Sequence, residues 1–249
     1  MQHKDNIIIV SSLGRSGSSM LFNSLQQHMK HLTVNSFWKT HYNPLEIVNT
    51  SIIRNKNIKN IFLYRDPVEI VLSLLSIYRD NRNVHGLKGK KFIKAHCNNM
   101  RRNWDLPLTH VVENFDNLII EKDILELEKM YDFFVDNHRF DTLMVKYDSI
   151  WENKNKIEDY VNGVINLPEK ENRDKKNNEH IWKLIVSDSE YKILNNTYES
   201  LIQKIEKSDN CWLIKKKTLV EKRISKLDEG TDKIVSHLIN LNTPTQWKR

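Results

Sequence analysis

The period of the hydrophobic positions changes several times along this chain, and each change marks an element. Ile7-Ile8-Ile9-Val10 is β-branched throughout, so residues 6–13 read as a buried strand ending at a turn signal. Met20, Leu21, Leu25 and Met29 then recur at helical spacing and predict a helix over about 17–30. A second extended run covers 32–39 and leads into Thr40-His41-Tyr42-Asn43-Pro44, and a third covers 58–64. After the third comes Arg65-Asp66-Pro67, where Asp66 suits an N-cap and Pro67 the first helical position. Val68, Val71, Leu72 and Leu75 then line one face of a helix.

The rest of the chain reads as mainly helical, over 90–104, 121–137, 156–165, 179–185 and 190–206, with further helix to about 240. One more strand, 142–146, runs into Tyr147-Asp148, and the strongly polar stretch 168–178 reads as a mobile surface loop. Strand, helix, strand, strand, helix with short connections predicts an α/β fold. Its central sheet is parallel, P-loop-like and flanked by helices, and its C-terminal part is helical. In such a sheet ligand groups gather at the carboxyl ends of the strands. Arg15, His41 and Arg65 then fall on one edge.

Composition narrows the setting. The 249 residues are 39% hydrophobic, with six glycines, five prolines and no linker-like segment. This favours one domain over 1–249, with 208–249 as a helical C-terminal extension of it. Cys97 and Cys211 are the two cysteines, and neither belongs to a disulfide framework or a zinc-spaced cluster. No signal peptide or membrane-length apolar run is visible, so a cytoplasmic protein is the expectation. The formal net charge of +7 favours anionic partners. The basic residues are interleaved with acidic ones, however, and the short clusters Lys90-Lys91, Arg101-Arg102 and Lys215-Lys216-Lys217 read as solvated helix faces rather than a nucleic-acid surface.

The chemistry concentrates in Gly14-Arg15-Ser16-Gly17-Ser18-Ser19, a small-residue loop between a buried strand and a helix N-terminus. That order aims backbone N–H groups and a positive helix end at an anion. A nucleotide kinase loop would carry a lysine after its second glycine, and here Ser18-Ser19 follow Gly17. The early Arg15, with no magnesium ligand in view, suits a phosphate ester handled without a metal. His28 and His31 lie three apart, but no carboxylate or cysteine completes a metal site with them.

These residues resemble the sulfotransferases that use 3'-phosphoadenosine 5'-phosphosulfate (PAPS). Gly14 to Ser19 is similar to their 5'-phosphosulfate loop, in the arginine-bearing form of carbohydrate and many bacterial members. Tyr64-Arg65-Asp66-Pro67, with Ser73 eight residues after Arg65, resembles the 3'-phosphate motif. Trp38-Lys39-Thr40-His41 resembles the Lys-Thr-His segment whose histidine is the base, and Val145-Lys146-Tyr147-Asp148 the segment whose tyrosine lies near the adenine. The matches come in family order over about 6–168.

The resemblance implies a catalytic group of His41, Lys39 and Arg15. Cofactor contacts would come from Gly14, Arg15, Ser16, Gly17, Ser18, Ser19, Arg65, Ser73 and Tyr147. It also implies PAPS as co-substrate, 3',5'-bisphosphoadenosine (PAP) as product, no required metal, and a hydroxyl or amine acceptor. The arginine-type loop points to a carbohydrate or glycoconjugate, with a small alcohol or a protein tyrosine as alternatives.

Three departures stand beside this. The interval from Arg15 to Lys39 is short for the cytosolic branch. No late Arg-Lys-Gly motif is visible, leaving Lys175, Lys176 or the Lys215 cluster as substitutes. Finally, an arginine-type loop is combined with a Lys-Thr-His segment.

Each residue also has a plainer role. Arg15 could be a solvated loop cation, Arg65 the partner of Asp66 or Glu69 in an ion pair, Ser73 an ordinary helix serine and Tyr147 an edge of the core. Glu46 is the alternative base to His41. The rival functions are a P-loop kinase with a degenerate loop, a non-enzymatic binder of nucleic acid or another anionic ligand, and a PAP-binding fold without turnover.

Overall fold

The β-branched run near the start of the chain becomes β1 (Asn6–Ser12), paired on both sides. The computed structural model describes residues 6–29, 37–40, 57–84, 86–100, 108–136, 140–170 and 182–216. Beside β1 lie β2 (Phe37–Thr40) and β3 (Asn57–Tyr64), and the sheet order is β2-β1-β3-β6-β7. The strands β6 (Asp141–Lys146) and β7 (Cys211–Ile214) complete it. The first four strands in that order are mutually parallel and β7 is antiparallel to β6. A small hairpin, β4 (Asn83–Val84) with β5 (Leu87–Lys88), stands apart.

Alternation along the strands divides the core into two layers. Ile8, Val10, Ile61, Leu63, Leu143 and Val145 pack with Leu21 and Leu25 of α1 (Ser18–Met29) and with Ile157 and Val161 of α7 (Lys154–Val161). Phe62, Tyr64 and Met144 belong to the other layer, with Val68, Val71, Leu72 and Leu75 of α2 (Pro67–Arg79). That layer also takes residues of α3 (Gly89–Met100), α4 (Leu108–Glu113), α5 (Phe115–Glu121), α6 (Leu127–Asp136), α8 (Asp188–Thr197) and α9 (Glu199–Glu206). The fold is therefore α/β, a parallel-dominated central sheet flanked by helices, as the pattern predicted.

Register is pinned by a polar thread through the sheet interior. Ser11 Oγ donates to Asn60 Oδ1 at 2.8 Å, and Asn60 Nδ2 donates to Thr142 Oγ1 at 3.4 Å. A slip of one residue in β3 would strand these buried groups, each at a cost of about 1–3 kcal/mol.

The first half follows its predicted boundaries closely. The helix predicted over 17–30 spans Ser18–Met29, and Pro67 opens α2 behind the Asp66 cap, whose carboxylate accepts the Val68 N–H at 2.8 Å. In the second half three readings are corrected. The helix expected over 121–137 begins only at Leu127, because the Asp123 carboxylate accepts the N–H groups of Leu127 and Glu128, both at 3.0 Å, and so starts a new helix. The helix expected over 190–206 is two helices that meet at buried Tyr198. The helical reading beyond 208 fails at Cys211–Ile214, a β-forming stretch that covers the open edge of β6. The predicted loop at 168–178 lies mostly outside the described residues, as does everything after 216.

Phe62 is fully buried and stacks on Phe134 of α6, with ring centroids 3.9 Å apart. Phe62→Ala is expected to cost about 3–5 kcal/mol of stability, read from urea unfolding. A loss under ~1 kcal/mol would mean this contact does not hold α6 to the sheet.

Candidate functional site

At the carboxyl edge of the sheet, β1 stays paired one residue past its end, with Leu13 N–H donating to Leu63 C=O at 3.1 Å. The chain then turns through left-handed backbone at Gly14 (φ 79°), Arg15 (φ 47°) and Gly17 (φ 75°). The loop braces itself: Gly14 N–H donates to Ser12 Oγ at 3.2 Å, and Ser16 Oγ donates to Gly14 C=O at 2.8 Å. Helix α1 begins at once, with Leu21 N–H donating to Gly17 C=O at 3.1 Å. The N–H groups of its first turn and its positive dipole end therefore stand at this edge.

Arg15 is not glycine, and its left-handed φ costs roughly 1–2 kcal/mol. What it gains is reach: Arg15 Nε donates to Ser73 Oγ on α2 at 3.1 Å. Arg65 follows β3 directly and is buried; its guanidinium pairs with the Glu69 carboxylate one turn along α2. That guanidinium also lies over the Tyr147 ring, 4.9 Å from its centroid, while Arg65 Nε is sealed from solvent and meets no hydrogen-bond acceptor among the described residues. Glu69 and Ser73 are four residues apart and so share a face of α2. Two arginines from the ends of adjacent strands thus close on one stripe of one helix.

Tyr147 completes the corner. It begins the 3-10 turn Tyr147–Ser149 after β6 and lies edge-on to Trp151, with ring centroids 5.8 Å apart. Its edge lies so near Gly17 that a Cβ there would sit 2.3 Å from Tyr147 Cε2. Glycine is required at Gly17 both for its φ and for this approach.

Burial raises the Glu69 carboxyl above the usual range; Arg65 opposes the rise, and Asp148 and Asp66 add to it. Burial also raises Asp66, against the N–H groups of Val68 and Glu69 and the charges of Arg65 and Lys146.

The structure brings together Gly14, Arg15, Ser16, Gly17, Ser18, Ser19, Arg65, Ser73 and Tyr147. Lys39 is in β2, paired at the backbone with Val10 on the same sheet. His41, Glu46, Lys175 and Lys176 lie outside the described residues. Lys215 and Lys216 are on the wrong side to replace a late cofactor motif. Ile214 pairs with Thr142 at the amino end of β6, and Lys216 N–H donates to Asp141 Oδ1 at 2.7 Å, so both leave at the opposite edge. Sequence reasoning named Glu69 only as an ion-pair partner; its spacing from Ser73 was the signal that the two arginines share a helix face.

Among the described residues, no group of three or more His, Cys, Asp or Glu is gathered as metal ligands would be, and no helix is long and apolar enough to cross a membrane. No family model matches the chain, and no curated protein matches it. Among solved structures it is similar to mouse sulfotransferase SULT7A1 complexed with PAP, at 15% identity over 83% of this chain and 67% of that one, with a TM-score of 0.34. A likeness of that size carries no chemistry.

Gly17→Ala is expected to cost about 2–4 kcal/mol, from left-handed strain and the clash with Tyr147. In a double-mutant cycle with Tyr147→Ala, urea unfolding should give a coupling of about 1 kcal/mol or more. Strictly additive losses would mean that ring and loop are independent.

Proposed function

We propose that this protein is a PAPS-dependent sulfotransferase. The observation that carries the reading is the convergence of Arg15 and Arg65 on one face of α2, beside a left-handed loop that opens a helix. Two anions held a fixed distance apart suit a nucleotide phosphorylated at both ends of its ribose. The 5'-phosphosulfate would lie on Gly14, Arg15, Ser16, Gly17, Ser18 and Ser19, and the 3'-phosphate on Arg65 and Ser73. Arg65 Nε, which meets no acceptor among the described residues, supports the fit, since an unpaired buried donor costs about 1–3 kcal/mol that a ligand oxygen would relieve. Tyr147 would border the adenine from the loop side.

In this reading an acceptor hydroxyl, or an amine, attacks sulfur in line. The new oxygen–sulfur bond forms as the bond from sulfur to the bridging phosphate oxygen breaks. The acceptor proton passes to His41, and PAP leaves with the charge that Arg15, assisted by Lys39, stabilises. Positioning and charge stabilisation supply the rate, so the scheme needs no metal. The arginine-bearing loop favours a carbohydrate or glycoconjugate as acceptor.

PAP in a chelating buffer, at about 100 times its dissociation constant, is expected to stabilise the parent by about 2.7 kcal/mol in thermal unfolding. Arg15→Ala with Arg65→Ala should abolish that shift. Stabilisation by Mg-ATP that a chelator removes, without any response to PAP, would favour a kinase-like activity instead. For turnover, His41→Ala should lower the rate by about 10² to 10⁴ while leaving PAP affinity intact. Unchanged turnover would pass the role of base to another group such as Glu46.

A further inference from the structure

The anion that Arg65 holds in the free protein is one of its own. Glu69 lies in the first turn of α2 and pairs with one Nη of Arg65, while Tyr147 covers the guanidinium plane. A guanidinium has five N–H donors, and a phosphate takes them in pairs. An incoming phosphate must therefore take donors now facing Glu69 or lie against that carboxylate. A phosphate monoester carries about −1.5 to −2 charges near neutral pH, and like charges brought together at a desolvated contact repel strongly.

We propose that Glu69 is an internal counter-ion of Arg65 which an incoming 3'-phosphate displaces, so that binding at Arg65 is coupled to protonation of the Glu69 carboxyl. This rests on the function proposed above. The groups facing Glu69 are Arg65 at the end of β3, Asp66 at the cap of α2 and Asp148 in the turn after β6. Arg15 reaches Ser73 one turn further along α2, and Lys146 faces Asp66. Once Arg65 is given to a phosphate, Glu69 keeps two acidic neighbours and loses its cation. The dipole of α2 favours its charged form, and burial and the neighbouring carboxylates oppose it. Burial already raises its carboxyl in the free protein, and a bound phosphate raises it further.

The sign follows. Binding favours the protonated carboxyl, so the penalty from Glu69 is absent below its free-state titration and fully present above its bound-state titration. Glu69→Gln has no such penalty at any pH. The phosphates of PAP titrate equally for both proteins and cancel in the ratio of their affinities. Glu69 thus also acts as a filter: it discriminates against weakly charged anions that cannot repay the lost ion pair.

The test is calorimetric binding of PAP to the full chain, parent and Glu69→Gln, between pH 5 and 8. The variant should bind about tenfold tighter at pH 8, with the ratio falling toward one near pH 5. Glu69→Ala removes the same carboxylate and should show the same trend, so the result does not depend on one variant folding. Equal or weaker binding by both variants at pH 8, with the parent binding PAP normally, would overturn the counter-ion role alone. Failure of PAP to bind parent and variants, all shown folded by circular dichroism, would overturn the co-substrate reading and this inference with it.

Discussion

Parallel pairing of β1 with β3, continuous from Asn6 opposite Asn57 to Ser12 opposite Leu63, fixes where every polar group of the site stands. Because β2, β1, β3 and β6 all run the same way, their carboxyl ends share one edge. Each strand end is then followed by chain that must leave the sheet, and its first polar residues meet those of its neighbours. Arg15 and Arg65 are fifty positions apart in sequence, yet the last rungs of one ladder place them over the same helix. The buried Ser11–Asn60–Thr142 thread guards that alignment, since a slip would part these hydrogen-bonded side chains.

The electrostatics of the corner follow from this crowding. A cation brought into a half-buried space needs a partner, and α2 provides two on one face. On this face the neutral hydroxyl of Ser73 accepts from Arg15, whereas the Glu69 carboxylate pairs with Arg65. The two arginines therefore meet the helix differently, one through a hydroxyl and one through a carboxylate.

The fold was legible where local rules act alone. β-branched residues at 7–10, the Asp66 cap with Pro67 and the loop glycines each specify their geometry over a few residues, and these boundaries hold within a residue or two. Legibility failed where a side chain overrode periodicity. Asp123 restarts a helix inside a continuous apolar pattern, and Tyr198 splits another while sinking into the core. The strand at Cys211–Ile214 depends on an open sheet edge, which no local pattern announces. At the site, Arg15 and Arg65 were visible as residue types at strand ends, and Ser73 by its spacing of eight from Arg65. The approach of Tyr147 to Gly17 was not, because it is set by the turn after a strand 130 positions away.

That last strand has a bearing on how the chain is made. The segment 209–214 does more than extend the sheet: Asp209 C=O accepts the Tyr64 hydroxyl at 2.7 Å, and Asn210 C=O accepts the Lys146 N–H at 2.8 Å and Ser149 Oγ at 3.0 Å. These bonds fasten the turn that carries Tyr147. Val145 is separated from its partner Cys211 by sixty-six positions, which a ribosome adding roughly 5–20 residues per second covers in about 3–13 seconds. For that interval β6 emerges with an uncovered edge and an unfastened turn. The corner that gathers Arg15, Arg65 and Tyr147 is thus begun at β1 and fastened only at β7, the last strand of the sheet among the described residues.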